Sequence, residues 1–228
     1  MSPRPRKVSD DQLFAAAHAL MNRVGPAELT LSAIARRAGV TPAVLVQRFG
    51  SKRNLLLALS ERFAAHAGEL MAAFGREHRS PLAALGAYAE CMAASPAAFA
   101  RSLAYLQIDL TDPDFRKPLM KQARATREGL ERLIAAAIDA GELVAGAKPA
   151  QLARTIEAVI SGSLLAWAFH QRGTAARWVR TDLDAVLEPY VPKRTGSVAA
   201  GRRRSPGSGG SGRPGGADGR RRGGLIRR

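Results

Sequence analysis

A single cysteine, Cys91, stands among 228 residues, so no disulfide can form within the chain, and no Cys/His spacing has the form of a zinc site. Nothing basic adjoins Cys91 at helical spacing to lower its pKa, which argues against a redox role. Aromatic residues make up 5% of the chain. Valine, isoleucine and threonine are sparse and rarely alternate with polar residues, while alanine is abundant; this composition excludes extensive sheet and favours helix. No apolar run approaches the roughly 18 residues needed to cross a bilayer, and the opening MSPRPRKVSDD lacks the apolar core of a signal peptide. A cytoplasmic, all-α protein with no membrane partner is expected. Catalysis finds no support either. There is no phosphate-cradling glycine loop, no nucleophile elbow and no paired His/carboxylate spacing, and Asp109, Asp112 and Asp114 fall at a helix–helix junction where caps and turns account for them. The chain is expected to be no enzyme and to hold no cofactor and no metal.

What is present is positive charge, unevenly distributed. The net charge of +16 divides into +6 over residues 1–60, zero over 61–192 and +10 over 193–228. A neutral middle between basic ends assigns polyanion binding to the first sixty residues and, as one reading, to the tail. Residues 193–228 hold eleven of the 22 glycines and the runs Arg202-Arg203-Arg204 and Arg220-Arg221-Arg222, without apolar periodicity. They read as disordered, since almost nothing there can be buried to offset the entropy of ordering. Three readings stay open for this tail: a solvated extension, a nonspecific DNA tether, or an artefact of translation or annotation.

Periodicity and punctuation place about nine helices. Ser9-Asp10-Asp11-Gln12 has the form of a capping box, followed by Leu13, Phe14, Ala17, Leu20, Met21 and Val24 at helical spacing, which predicts a helix over 10–23. Gly25-Pro26 ends it. Thr30 is placed to cap a short second helix with Leu31, Ile34, Ala35 and Ala38 on one side, ending at the turn residue Gly39. Thr41 as cap and Pro42 at the first position then open a third helix to Phe49, and Gly50-Ser51 recaps the chain for a fourth over 52–76. Ser80-Pro81, Ser95-Pro96 and Asp112-Pro113 open helices near 81–94, 96–108 and 113–141, with Pro118 expected to break the last near its start. Two final helices, 149–171 and 175–191, carry strong apolar stripes.

Two short helices joined by a tight glycine turn, behind a longer first helix and within a basic sixty-residue unit, meet the requirements of a helix-turn-helix reader of double-stranded DNA. At about 100° per residue, Leu45 and Phe49 share the side of the third helix that packs inward, whereas Ala43, Val44 and Gln47 point about 120° to 180° away from it. Gln47 has the hydrogen-bonding capacity for a base edge, and glutamine suits adenine. The small Ala43, with Pro42 alongside, allows close approach to the groove. Thr30 and Thr41 at helix N-termini and Lys52 at the start of the fourth helix are placed for phosphate contacts.

At these residues the chain resembles the TetR (tetracycline-repressor-like) family of transcriptional regulators. The resemblance rests on Thr30-Leu31-Ser32-Ala33-Ile34-Ala35-Arg36-Arg37-Ala38-Gly39-Val40-Thr41, then Phe49-Gly50-Ser51-Lys52 and Leu55-Leu56. It is specific over residues 9–60 and general over 61–192, where helix number, helix lengths and the apolar last two helices match. It implies a three-helix DNA-binding domain over 1–60 and a helical effector-binding and dimerisation domain over 61–192. The homodimer so implied binds a pseudo-palindromic operator and is released by a small-molecule effector of unknown identity. Such a protein would be nucleoid-associated when bound to DNA. On that basis Leu164, Trp167, Leu183, Val186 and Leu187 are candidates for a four-helix dimer interface, with intramolecular core as the other reading. Tyr88, Met92, Phe99, Tyr105, Phe115, Met120, Trp167 and His170, bulky or polarisable residues of the neutral region, are candidates to line the effector pocket. The departure from the family pattern is Val46, where a tyrosine hydroxyl usually contacts a phosphate. Valine cannot make that contact, and Arg48 on the other flank is a candidate replacement through a charge-assisted bond. Two other classes stand beside this one: an architectural or nonspecific nucleic-acid-binding protein using its basic ends, and a ligand-binding chaperone, which leaves the basic first sixty residues unexplained.

Overall fold

Short polar side chains set where the helices begin. In the computed structural model, which describes residues 8–92 and 95–193, the side chains of Ser9, Thr30, Ser51, Ser80, Ser95, Asp112 and Thr174 each accept a first-turn backbone N–H of the following helix. Those donors have no carbonyl partner within the helix, so each cap fixes a start. The helices are α1 Asp10–Met21, α2 Leu31–Ala38, α3 Pro42–Phe49, α4 Lys52–Glu77, α5 Pro81–Cys91, α6 Pro96–Thr111, α7 Pro113–Asp139, α8 Pro149–His170 and α9 Ala175–Leu187, closed by a 3-10 turn at Glu188–Tyr190. Proline is the first residue of α3, α5, α6, α7 and α8, where its missing N–H costs nothing and its fixed φ suits the helix. The described residues contain no strand, and the fold is all-α. The capping box closes as expected: Gln12 N donates to Ser9 Oγ and Ser9 N to Gln12 Oε1, at 3.3 and 3.0 Å.

Pro118 does not break its helix. It lies inside α7, buried, in the second turn, where its ring removes one backbone bond; Phe115, three residues before it, is buried too. Caps and burial on both sides outweigh the lost bond. The readings of residues 194–228 lie outside the described residues.

Two apolar clusters organise the described chain. The first gathers Leu13, Ala17, Leu29, Ile34, Ala35, Leu45, Leu55 and Leu59 from α1 to α4, together with Tyr105 of α6 and Phe115 of α7. The second joins Met71 of α4 to Leu85, Leu130, Ile134, Ile156, Leu164, Trp167, Val179 and Leu183 from α5 and α7 to α9. The boundary placed at residue 60 thus falls in the middle of α4, a continuous helix whose first half belongs to one cluster and whose second half reaches the other. α8 has the length and apolarity of a bilayer-spanning helix, 22 residues at mean hydropathy 1.3, which Arg154 and Glu157 conceal from a search for unbroken apolar runs. Its inward side, Leu152, Ile156, Ile160, Leu164 and Trp167, is part of the second cluster.

α4 and α7 run side by side in the same direction. Arg53 in the first turn of α4 donates to Asp112 and Asp114 at the start of α7, at 2.8 to 3.0 Å, and its guanidinium lies 5.5 Å from the Phe115 ring centroid. This pairing holds the Asp112 carboxyl below its ordinary range. Further along, Gly129 faces Met71 so closely that an added methyl would come within 2.6 Å of Met71 Cγ. Gly129→Ala is therefore expected to destabilise the fold by about 1–3 kcal/mol, lowering the thermal midpoint by several degrees in a melting experiment. An unchanged midpoint would show that the two helices do not depend on that close approach.

Candidate DNA interface and ligand cavity

The turn between α2 and α3 rests on Gly39, whose φ of 70° and ψ of 30° are left-handed and whose N–H returns to the carbonyls of Ala35 and Arg36. A side chain there would be strained. Beyond the turn, Leu45 is fully buried and Phe49 packs against Phe14 with ring centroids 5.6 Å apart. These contacts turn the opposite side of α3 outward: Thr41, Pro42, Ala43, Gln47 and Arg48 are all exposed, and Val46 is 50% exposed. Val44 is half-buried, which leaves Gln47 and Ala43 as the exposed residues of the three expected to face the groove. Thr30 caps α2, its Oγ1 accepting from Ala33 N at 3.1 Å. Thr41 occupies the cap position of α3, but its hydroxyl makes no cap bond; Pro42 supplies the helical φ instead.

The two cations of this surface are tied down. Lys52 Nζ donates to the Pro26 carbonyl at 3.0 Å, which fastens α4 to the loop after α1. Arg48 Nη1 pairs with Asp10 Oδ1 at 3.0 Å, fixing α3 against the start of α1. An ammonium has three donors and a guanidinium five, so either group can keep its intramolecular bond and still meet a phosphate.

A cavity of about 560 Å³ lies between α1, α4, α5, α6, α7 and α8, within the range of small-molecule sites. Met92, Phe99, Tyr105 and Phe115 line it, as four of the eight pocket candidates; Tyr88, Met120, Trp167 and His170 do not. Tyr88 packs edge-on against Phe74, Met120 is exposed, Trp167 lies in the second cluster with Nε1 donating to the Gly173 carbonyl, and His170 stacks on Trp178. Sequence gave no distinction among these eight because bulk alone does not tell core from cavity. It also passed over His18, Met21 and Phe63, which lie on the reader's own helices, and Asp109. Of the three acidic residues read as caps and turns, Asp112 caps α7, Asp114 pairs with Arg53 in its first turn, and Asp109 is at the cavity wall. Burial pushes its carboxyl up to about 6, and the phenol of Tyr105, whose hydroxyl donates to the Val24 carbonyl at 3.2 Å, up to about 12.

The side chains named for the dimer interface are occupied within the chain. Leu164, Trp167, Leu183 and Leu187 are 1–6% exposed in the second cluster, and Val186 packs against it. The outward side of α8 is a different stripe, Gln151, Thr155, Ala158, Gly162, Leu165 and Phe169.

A recognition helix held outward by a glycine turn, with a ligand-sized cavity behind the reader, defines a DNA-binding regulator of the helix-turn-helix class. Residues 13–59 match the family model for bacterial regulatory proteins of the tetR family, and residues 104–183 match that of the tetracyclin repressor-like C-terminal domain. No curated protein sequence matches the chain. Among solved structures, reduced NemR of E. coli aligns at 18% identity and TM-score 0.65, covering 81% of this chain and 99% of its own. A putative transcriptional regulator from Saccharomonospora viridis, in complex with choline, aligns at 18% and 0.65, covering 81% and 98%. SmeT, the repressor of the Stenotrophomonas maltophilia multidrug efflux pump SmeDEF, aligns at 24% and 0.54, covering 82% and 93%. The chain belongs to the TetR family, whose members are transcription regulators and not enzymes.

The raised Asp109 carboxyl has a consequence for stability. A folded-state value of about 6 against an ordinary 3.8 means that folding favours the protonated form, so the stabilisation is complete below about pH 4 and is lost as pH rises through about 6. His18 and Tyr105 are the other titratable side chains on the wall. Asp109→Asn is expected to melt above the wild-type protein at pH 7.5, with the difference shrinking as pH falls through about 6. A pH-independent difference would contradict the assignment.

Proposed function

We propose that this regulator is a homodimeric repressor that binds a pseudo-palindromic operator through α3 and is released when a small molecule fills the cavity. The observation that carries the reading is the composition of the cavity wall. His18, Met21 and Asn22 at the end of α1 and Leu56, Leu59, Ser60 and Phe63 of α4 share it with α6, α7 and α8. Two further links support coupling: Arg101 of α6 donates to the Asn22 carbonyl at 2.8 and 3.1 Å, and Tyr105 to that of Val24. A molecule that displaces α6 therefore acts on the end of α1, a helix that packs on α2 and holds α3 at its other end through Asp10 and Phe14, and shifts the population of reader orientations. The choline held by the Saccharomonospora viridis neighbour and the repressor role of SmeT are consistent with this reading.

Dimerisation is assigned to the outward stripe of α8 rather than to the buried residues behind it. Gln151, Thr155, Ala158, Gly162, Leu165 and Phe169 recur at steps of four and three, the spacing of a helix-packing seam. Phe169 is 75% and Leu165 41% exposed, and the small Ala158 and Gly162 allow close approach. Phe169→Asp is expected to yield monomers by analytical ultracentrifugation and to abolish operator binding; a dimer of wild-type strength would refute the assignment.

Selection of bound sequences from a random DNA pool tests the whole reading. A regulator is expected to return two half-sites about 34–36 Å apart and to prefer them at least about a thousandfold over bulk DNA. Salt-dependent binding without preference would mark an architectural protein instead. On the selected operator, Val46→Tyr is expected to tighten binding about 2- to 10-fold per half-site by restoring one hydrogen bond to phosphate. Unchanged or weaker binding would show that Arg48 or another group already fills that place.

A further inference from the structure

Asp109 is the one carboxylate on the cavity wall, which among its lining residues has no lysine or arginine. It enters no ion pair and accepts no hydrogen bond among the described residues, unlike Asp112 and Asp114 a turn away, which share Arg53. The wall it belongs to is mostly apolar and includes the rings of Phe63, Phe99, Tyr105 and Phe115 beside the polar His18, Asn22 and Gln122. With its carboxyl raised by burial to about 6, Asp109 is still mostly ionised at neutral pH. An anion partly withdrawn from water without a partner is costly, and the cost is relieved by a cation and increased by another anion. Aromatic faces attract the same cations through their quadrupoles.

We infer that the effector of this cavity is an apolar monocation, an amine or quaternary ammonium carried on a hydrocarbon or aromatic body, whose charge sits at the Asp109 carboxylate. The inference rests on the cavity being the effector site, as proposed above. The apolar body fills the volume between Leu59, Leu106, Leu119 and Leu164, and the charged end supplies the partner that the fold withholds from Asp109. Neutral molecules of the same shape gain only the first contribution, and carboxylates lose on the second.

Calorimetric titration of the full chain at pH 7.5 with octyltrimethylammonium, 1-octanol and octanoate tests this. The cation is expected to bind about tenfold or more tightly than the alcohol, with octanoate weakest. Asp109→Asn should lower affinity for the cation about tenfold while leaving the alcohol within about twofold, and Asp109→Glu should restore much of the preference. If the asparagine variant does not fold, the order of the three probes on the wild-type protein still decides. Alcohol binding as tight as the cation, or a preference that survives Asp109→Asn, overturns the cation inference and leaves the cavity as a ligand site. Failure of all three probes to bind overturns both readings.

Discussion

Gly129 leaves α7 without a side chain where Met71 of α4 crosses it, and much of the molecule depends on the approach this permits. Because the two helices lie so close and run in the same direction, the start of α4 is brought to the start of α7, where Arg53 meets Asp112 and Asp114. That ion pair is exposed and adds little energy by itself. Its role is registration: it sets where the first turn of α4 lies relative to the body, and α3 and its outward side chains hang from that turn. The apolar contact further along supplies the stability that the charged contact lacks.

Much of this was legible in the chain because helix punctuation is local. Ser9, Thr30, Ser51, Ser80, Ser95 and Asp112 state their role within four residues, and Gly39 does so within two. Pro118 was misjudged because its tolerance is not local: it is buried inside α7, which no neighbouring residue reports. The division at residue 60 follows charge alone. Charge changes there, but packing does not, since α4 runs straight through and Tyr105 and Phe115 return from the second unit to complete the core of the first.

The outward side of α3 could be derived from a helical wheel, since Leu45 and Phe49 fix which way it faces. The cavity could not. Whether Met92 or Met120 lines a void is decided by where α6 and α7 cross, and an apolar stripe looks the same whether it meets another helix of its own chain, a second copy or nothing. For the same reason the strongest stripe of α8 proved to be core and the weaker one, broken by Ala158 and Gly162, is the exposed one. Asp109 was read like its neighbours because an acidic residue near a helix end is usually explained by the backbone, and only the position of α6 against α1 and α4 separates it from them.

Tyr105 belongs to two inventories at once: it lines the cavity with its ring and holds the Val24 carbonyl with its hydroxyl, inside the core of the reader. The wall of the cavity is therefore of two kinds. Residues contributed by α1 and α4, and Tyr105 with them, cannot change to suit a new ligand without disturbing the unit that meets DNA. Those on the free sides of α5, α6, α7 and α8, such as Met92, Leu103 and Gln122, carry no such obligation. Under the proposed function, descendants of this protein can vary what they sense on one half of the cavity only, and the other half is held in place by the task of reporting it.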